Sequence, residues 1–582
     1  MTIALYGIPV GGGIALGRAH LLPQSMRDIP HYELSTKEER NNEIKRFKNA
    51  IKNTRRQLEQ INKNLPTKSP TELGVFIQLH LMLLLDDSIS SDPIDIIKEE
   101  NVNAEWALHL QSQKLSAQFE TIEDEYLRER KADILQVIER VFKNLRGDSM
   151  DFSSIQVDLF DDTILIASDF SPADAISFKD ARIAAFLTDS GGPSSHTAIL
   201  GRSLDIPSIV ALHHALEVIH ENEWVIVDGI DGVVIIDPDQ RILEEYQKRA
   251  REYKAKKRTL NKLRNTSAIT QDGVEIEILA NIETVDDITL ANKNMADGVG
   301  LFRSEFLFLN RDTPPDENEQ YQYYSKILKK AAGKPVIMRT ADLGADKALR
   351  KAESSIVINP ALSLTGVRFS LAEPLMFRTQ LRALLRAGVH GNISIMFPMI
   401  ASIAEIKQCL SHLQIAKEQL IERNEVFAEN VPIGIMVETP AAALMVGSLM
   451  KQVDFISVGT NDLIQYTLAT DRNDETVAYL YQPTHPAVLK LLVHIIRTAT
   501  RLHKPVSVCG EIAGNPNLTR MLLAIGLRRF SMHPSNILAV KEMILSSNIT
   551  SLESKIIPLL RNEDDERARE ILDKLNQREE SI

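Results

Sequence analysis

Three rhythms of apolar and polar residues follow one another along the chain. Residues 1–20, MTIALYGIPVGGGIALGRAH, set short apolar runs between glycines, the pattern of a strand with Gly-rich turns. From about Ser35 to Arg146 the spacing turns helical: STKEE offers a capping box from Ser35 to Glu38, and Phe47, Ile51, Leu58 and Ile61 recur at helical intervals. Pro66 and Pro70, then the stretch DDSISSDP, divide this region into about four helices, a size suited to a bundle. Strand-like runs resume at TILIAS (163–168), ARIAAFLT (181–188), WVIVDG (224–229) and VVIID (233–237), and with the N-terminal strand they predict a small α/β unit interrupted by the bundle. Residues 240–263 read as one charged helix without a wide apolar face, which is the pattern of a linker.

A third rhythm fills the rest. Eight short apolar runs, at 274–281, 298–303, 335–340, 393–399, 433–438, 455–460, 505–510 and 528–533, alternate with helical stretches. Buried parallel strands alternating with helices eight times predict a closed (β/α)8 barrel of the TIM type. The fold class is therefore multidomain α/β. The expected domains are an α/β domain over 1–24 and 147–239, an inserted helical bundle over 25–146, a helical linker over 240–266 and the barrel over 267–582.

Composition narrows the function. A length of 582 residues gives room for two to four domains with ample cores. A net charge of −12 argues against general affinity for nucleic acid or an anionic membrane, while the acidic residues Asp86, Asp87, Asp92, Glu123, Asp124 and Glu125 would suit a basic protein partner or simply form a solvated face. Two distant cysteines exclude a disulfide framework and suit a reducing compartment, and the apolar N-terminus lacks the basic leader of a signal peptide. No apolar run is long enough for a bilayer, so a cytoplasmic location without membrane insertion is expected. GGGIALG lacks dinucleotide-fingerprint spacing, no Walker A sequence is present, and no spacing suggests zinc.

Two stretches carry candidate chemistry. In GGPSSHTAILGR, residues 191–202, glycines and Pro193 break the chain, and Ser194, Ser195 and Thr197 offer capping hydroxyls before an apolar turn, which places His196 in the first turn of a helix. Backbone N–H groups there attract an anion and resist protonation of the imidazole, a setting for a histidine that carries a phosphoryl group; a surface histidine in a serine-rich cap is the plainer alternative. The second is the set of barrel strand ends, where function gathers in this fold. Arg303 and Glu305, Arg339 and Asp342, Glu438, Asn461 with Asp462, and Cys509 with Glu511 would converge on one rim, a set suited to a phosphorylated, metal-bound acid. Cys409, on an amphipathic helix, reads as packing, His213 and His214 as surface residues, and His80 as part of the docking helices.

GGPSSHTAILGRSLDIP, GVGLFRSEFLF, RTADLGADK, GIMVETPAA, GTNDLIQYTLATDR and CGEIAGNP, in this order, resemble the phosphoenolpyruvate-protein phosphotransferase family, enzyme I of the bacterial sugar phosphotransferase system. GIPVGGGIALGRA and DEYLRERKADIL extend the resemblance through nearly the whole chain. It implies a swivelling phosphohistidine domain, a helical domain that binds a histidine phosphocarrier protein, and a homodimeric barrel that binds phosphoenolpyruvate with Mg²⁺. By the same resemblance Arg303, Arg339, Asn461 and Arg472 contact substrate, Glu438 and Asp462 hold Mg²⁺, His196 takes the phosphoryl group, and Cys509 protonates the enolate to give pyruvate.

The chain also departs from the family pattern. NPALSLTGVR aligns with a segment usually close to NPFLGWRAIR, which puts Thr365 in place of an active-site arginine and Ser363 in place of glycine. Losing one charge-assisted contact to an anion costs about 1.5–3 kcal/mol, unless Arg368 or Lys347 substitutes. Ala345 and Ile464 replace glycine and threonine, and Ala175 stands where a threonine could hydrogen-bond the active histidine. Two alternatives therefore stand beside an active transferase. One is a phosphoenolpyruvate-sensing regulatory protein with weak transfer, and the other is a relative of pyruvate dikinase and phosphoenolpyruvate synthase lacking the nucleotide domain.

Overall fold

The computed structural model describes residues 2–22, 29–63, 71–120, 125–147, 162–170, 183–192, 197, 201, 206–308, 313–344, 362–471, 477–561 and 565–576. They fall into two compact units, Met1–Lys257 and Arg258–Ile582.

The first unit is built on an eight-stranded mixed sheet of order β1-β8-β7-β3-β4-β5-β6-β2. Its strands are β1 (Ile3–Tyr6), β2 (Ile8–Gly11), β3 (Ile14–Leu21), β4 (Thr163–Ala167), β5 (Ala185–Thr188), β6 (Ser208–Val210), β7 (Trp224–Asp228) and β8 (Val233–Ile236). The N-terminal stretch, expected as one strand, forms three. β1 pairs with β8 and β2 with β6 at opposite ends of the strand order, and the chain reverses between β2 and β3, where Gly13 has a left-handed φ of 129°.

Among the described residues, six helices run between the adjacent parallel strands β3 and β4: α1 (Lys37–Lys63), α2 (Thr71–Leu83), α3 (Asp87–Ser90), α4 (Asp92–Glu100), α5 (Ala104–Glu120) and α6 (Glu125–Arg146). Two more helices form than the spacing predicted. Asp86 caps the single turn α3 by accepting from the Ser88 N–H, and Pro93 sits in the first turn of α4, so the acidic stretch starts helices where a break was expected. Phe47 and Leu58 are buried, and Ile51 and Ile61 flank them, as their spacing requires. The capping box, however, lies one residue later than expected. The Glu39 carboxylate accepts from the Ser35 and Thr36 N–H groups, and the Glu39 N–H donates to Thr36 Oγ1 at 3.1 Å.

The helix Gln240–Lys262 corrects a further expectation. Ile242, Tyr246 and Ala250, one residue per turn, pack on Ile14, Ile226 and Ile235, and Arg249 bridges Asp228 at 3.1 Å and Asp231 at 2.9 Å. Its first half is thus docked on the sheet by a stripe too narrow to register as an apolar face.

The second unit is a closed barrel of eight parallel strands, one from each predicted run. These are β9 (Glu277–Ile282), β10 (Gly298–Arg303), β11 (Val336–Arg339), β12 (Ile393–Phe397), β13 (Ile433–Val437), β14 (Phe455–Val458), β15 (Val506–Val508) and β16 (Arg529–Met532). β16 closes on β9 with Arg529 opposite Glu277. Leu301, Ile337, Met396, Met436, Phe455 and Cys509 fill the interior, so the barrel is a packed core whose chemistry must sit at its mouth. Cys409 is buried as packing predicts, His80 is buried within α2, and His213 and His214 are exposed. Among the described residues no helix is long and apolar enough to cross a membrane.

Candidate active site

Each predicted rim residue that is described lies at or just past the C-terminal end of a barrel strand. Arg303 ends β10 and Arg339 ends β11; Glu438 follows β13, Asn461 and Asp462 open the helix Thr460–Leu468 after β14, and Cys509 follows β15. His196 and Arg472 lie outside the described residues, as do Ala175, Ala345 and Lys347. Beside the histidine, Thr197 and Gly201 are helical, and Thr197 Oγ1 donates to Asp169 Oδ1 at 2.6 Å.

Glu438 is the electrostatic centre of the rim. The chain turns sharply after it, where Thr439 caps a helix that begins with Pro440. Its side chain is fully buried, Oε1 accepts from the Met399 N–H at 2.6 Å, and Oε2 has no hydrogen-bond partner. Burial pushes this carboxyl well above the usual carboxylate range, the charges of Asp462 and Asp342 push it further, and Arg339 opposes them. Gly459 leaves room for it, since a Cβ there would lie 2.8 Å from Oε2.

The arginines are held by carboxylates. Arg303 pairs with Glu283; Arg339 pairs with Glu305 and, at 3.0 Å, with Asp342. Arg339 is buried, which works against its charge, but Glu305, Asp342 and Glu438 outweigh the burial and keep it protonated. Its Nε, Glu305 Oε2, and the hydroxyls of Thr340, Thr365 and Thr460 are buried without hydrogen-bond partners. Such a concentration of uncommitted polar atoms at one barrel mouth is what a polar ligand would complete.

Cys509 is also buried. Its thiol donates to the Val458 carbonyl at 3.4 Å, and its own carbonyl accepts from Asn281 Nδ2 at 2.7 Å. Burial pushes the thiol up to about 11; Glu438 adds to this, while Ser457, Arg339 and Arg303 pull it down. Arg339 and Glu438 act on each other and both act on Cys509, Asp462 acts on Glu438 and Arg303 on Cys509, so these five side chains lie within electrostatic reach along one chain of neighbours at the barrel mouth. Asn461 and Glu511 are paired reciprocally, Nδ2 to Oε1 at 3.0 Å and N–H to Oδ1 at 3.1 Å. A Cβ at Gly366, next to Thr365, would lie 3.0 Å from Asp342 Oδ1, which brings Thr365 beside these residues, whereas Arg368 reaches Glu405 at 3.4 Å and is exposed.

Three participants escaped the sequence reading. Asn281 ends the first barrel run and was visible by the same rule as its counterparts at the other run ends. Glu283 lies beyond that end. Met399 contributes only its backbone, which no side-chain pattern signals. Among the described residues no group of three or more His, Cys, Asp or Glu is arranged to hold a metal ion. The buried Glu438, with an uncommitted oxygen and a charge-coupled Asp462, nonetheless fits Mg²⁺, which takes one or two protein carboxylates and completes its shell with water and substrate oxygens.

Comparison with known proteins covers almost the whole chain. Residues 6–130 match the family model described as PEP-utilising enzyme, N-terminal; residues 159–232 match the mobile domain, and residues 257–549 the PEP-binding domain of the same enzymes. A phosphoenolpyruvate-protein phosphotransferase of Cupriavidus necator is 46% identical over 575 residues, spanning 97% of this chain and 98% of the relative. Enzymes of the same name from Geobacillus stearothermophilus and Bacillus subtilis are 40% and 38% identical, over 93% and 94% of the chain and 92% and 95% of their own lengths. With its barrel mouth assembled from paired arginines, carboxylates and a thiol, and with relatives aligned over nearly its full length, the chain belongs to the phosphoenolpyruvate-protein phosphotransferase family.

Proposed function

We propose that this chain takes the phosphoryl group of phosphoenolpyruvate onto His196 and passes it to a histidine of a small phosphocarrier protein. Family membership makes it an enzyme of phosphoenolpyruvate-dependent phosphotransfer in the phosphotransferase system. The observation that carries the residue assignments is the rim itself, where two carboxylate-held arginines and a charge-coupled carboxylate pair surround buried polar atoms that lack partners.

Arg303, Arg339 and Arg472 bind the carboxylate and phosphate of the substrate, with Asn461 beside them. Glu438 and Asp462 would hold Mg²⁺, which when bound neutralises charge on the transferring phosphoryl group. His196 attacks phosphorus through a ring nitrogen as the bond to the enol oxygen breaks. The enolate then takes a proton at its methylene carbon from Cys509, whose raised pKa keeps the thiol protonated, and pyruvate leaves. The resulting phosphohistidine meets the carrier on the inserted helices. Two buried, unpaired cysteines fit the reducing cytoplasm, and the barrel is the expected dimerisation domain.

Incubation with Mg²⁺ and phosphoenolpyruvate should yield an acid-labile, base-stable phosphoprotein, with mass spectrometry placing the group on His196. Absence of label on the wild type, or equal label on His196→Ala, overturns the assignment.

Thr365 favours a second reading, a phosphoenolpyruvate sensor that transfers weakly, because its buried hydroxyl replaces a cation and Arg368 is engaged by Glu405. Turnover with and without Thr365→Arg decides between them, since a large rescue from near zero would support the sensor.

A further inference from the structure

Behind the two arginines lies a polar group that the reaction does not use. Gln380, on the helix Pro374–Ala387 outside the barrel, is buried with every polar atom partnered. Its Oε1 accepts from the Ala341 N–H at 2.9 Å, two residues past Arg339, and its Nε2 donates to Ser304 Oγ at 2.9 Å, one residue past Arg303. The remaining amide proton reaches the Tyr324 hydroxyl at 3.1 Å, which passes to Gln320 Oε1 at 3.2 Å. A backbone N–H can only donate, so the contact with Ala341 fixes which way the amide points. Ser304 and Tyr324 are then its acceptors, and the flipped amide would set a donor against the Ala341 N–H and lose that bond.

The contrast with the barrel mouth is informative. In front of the strand ends, Arg339 Nε, Glu305 Oε2 and Thr340 Oγ1 have no partners; behind them, one side-chain amide ties the turns after β10 and β11 together. Neighbouring parallel strands are fixed in register by their ladder, but β10 carries a register irregularity between Val299 and Phe302 against β11. The spacing of the turns beyond the strands therefore needs a further constraint.

We infer that Gln380 is a positioning residue for phosphoenolpyruvate binding, a brace that sets the separation of Arg303 and Arg339 from outside the barrel. The inference rests on the assignment of those arginines to substrate. A dianionic phosphate and a carboxylate held a fixed distance apart on one small molecule demand cations at a matching distance, so loosening the brace weakens capture of substrate more than it slows the chemistry.

The test uses single-turnover autophosphorylation of the full-length protein with Mg²⁺ at varied phosphoenolpyruvate. Gln380→Met keeps the volume but removes both links to the turns, and it should raise the half-saturating phosphoenolpyruvate concentration about tenfold with little change in the maximal rate. Gln320→Met removes the outer acceptor of the Tyr324 hydroxyl without touching Gln380 or Ser304, and it should leave half-saturation unchanged while lowering the melting temperature. If Gln380→Met fails to fold, Ser304→Ala removes one arm of the brace and should move half-saturation in the same direction. Unchanged half-saturation in Gln380→Met, or an equal rise in Gln320→Met, overturns the inference. Arg303→Ala separates the two levels. If it leaves half-saturation unaltered, the substrate assignment itself falls; if it raises it while Gln380→Met does not, the brace alone falls.

Discussion

At the scale of single residues, the buried thiol at the barrel mouth illustrates how one group links stability to chemistry. Burial disfavours the thiolate and pushes the Cys509 thiol up to about 11, against about 8.5 for an unperturbed thiol. Above pH 8.5 the unfolded chain sheds this proton first, so the unfolded state binds fewer protons and stability falls as pH rises toward 11. Urea midpoints measured between those limits should decline, and Cys509→Ser should flatten the decline; an unchanged slope would show that the thiol does not contribute. If Cys509 is the proton donor proposed above, the same displacement keeps its proton available for the enolate across the neutral range, and Cys509→Ser should slow pyruvate formation by about a hundredfold or more.

At the scale of elements, the start of α1 shows how finely a cap must be read. Both Ser35 to Glu38 and Thr36 to Glu39 satisfy the capping-box pattern, and only the second forms. Thr36→Ala should therefore cost about 1 kcal/mol in chemical denaturation, and Ser35→Ala nearly nothing. The reverse ranking would restore the earlier register. The barrel strands were legible because eight buried runs have a period and a boundary. The docking of Gln240–Lys262 was not, because Ile242, Tyr246 and Ala250 are single residues on successive turns of an otherwise charged helix, below what any periodicity can register. Gln380 was equally hidden. A lone amide on an amphipathic helix looks the same in the sequence whether it faces water or braces two turns.

At the scale of the whole molecule, the two units have separate hydrophobic cores, and only the second contains the arginines, carboxylates and thiol of the barrel mouth. Calorimetry of the full chain should resolve two transitions, and Mg²⁺ with phosphoenolpyruvate should raise the one belonging to the barrel by an amount equivalent to about 2.7 kcal/mol at a hundredfold excess over Kd. Equal shifts of both transitions would count against confining the ligand to the barrel. Much of this organisation was readable in advance, since strand ends in a barrel point to one face and the charged side chains there name the chemistry. Asp342 meets Arg339 three residues along the chain, but the pairing of Glu283 with Arg303 and of Glu305 with Arg339 was not readable, because those partners meet across the ends of neighbouring strands.

The link from Met399 to Glu438 has a consequence for how this site tolerates change. The donor is a peptide group, in a residue whose φ of 53° is left-handed. Exchanging the methionine side chain leaves the bond intact, and asparagine or glycine would suit the torsion better. Proline alone would sever it, lacking the hydrogen and unable to adopt the angle. The anchor of this buried acid is thus written in the chain's path and not in its alphabet, and a survey of side-chain substitutions would pass over it.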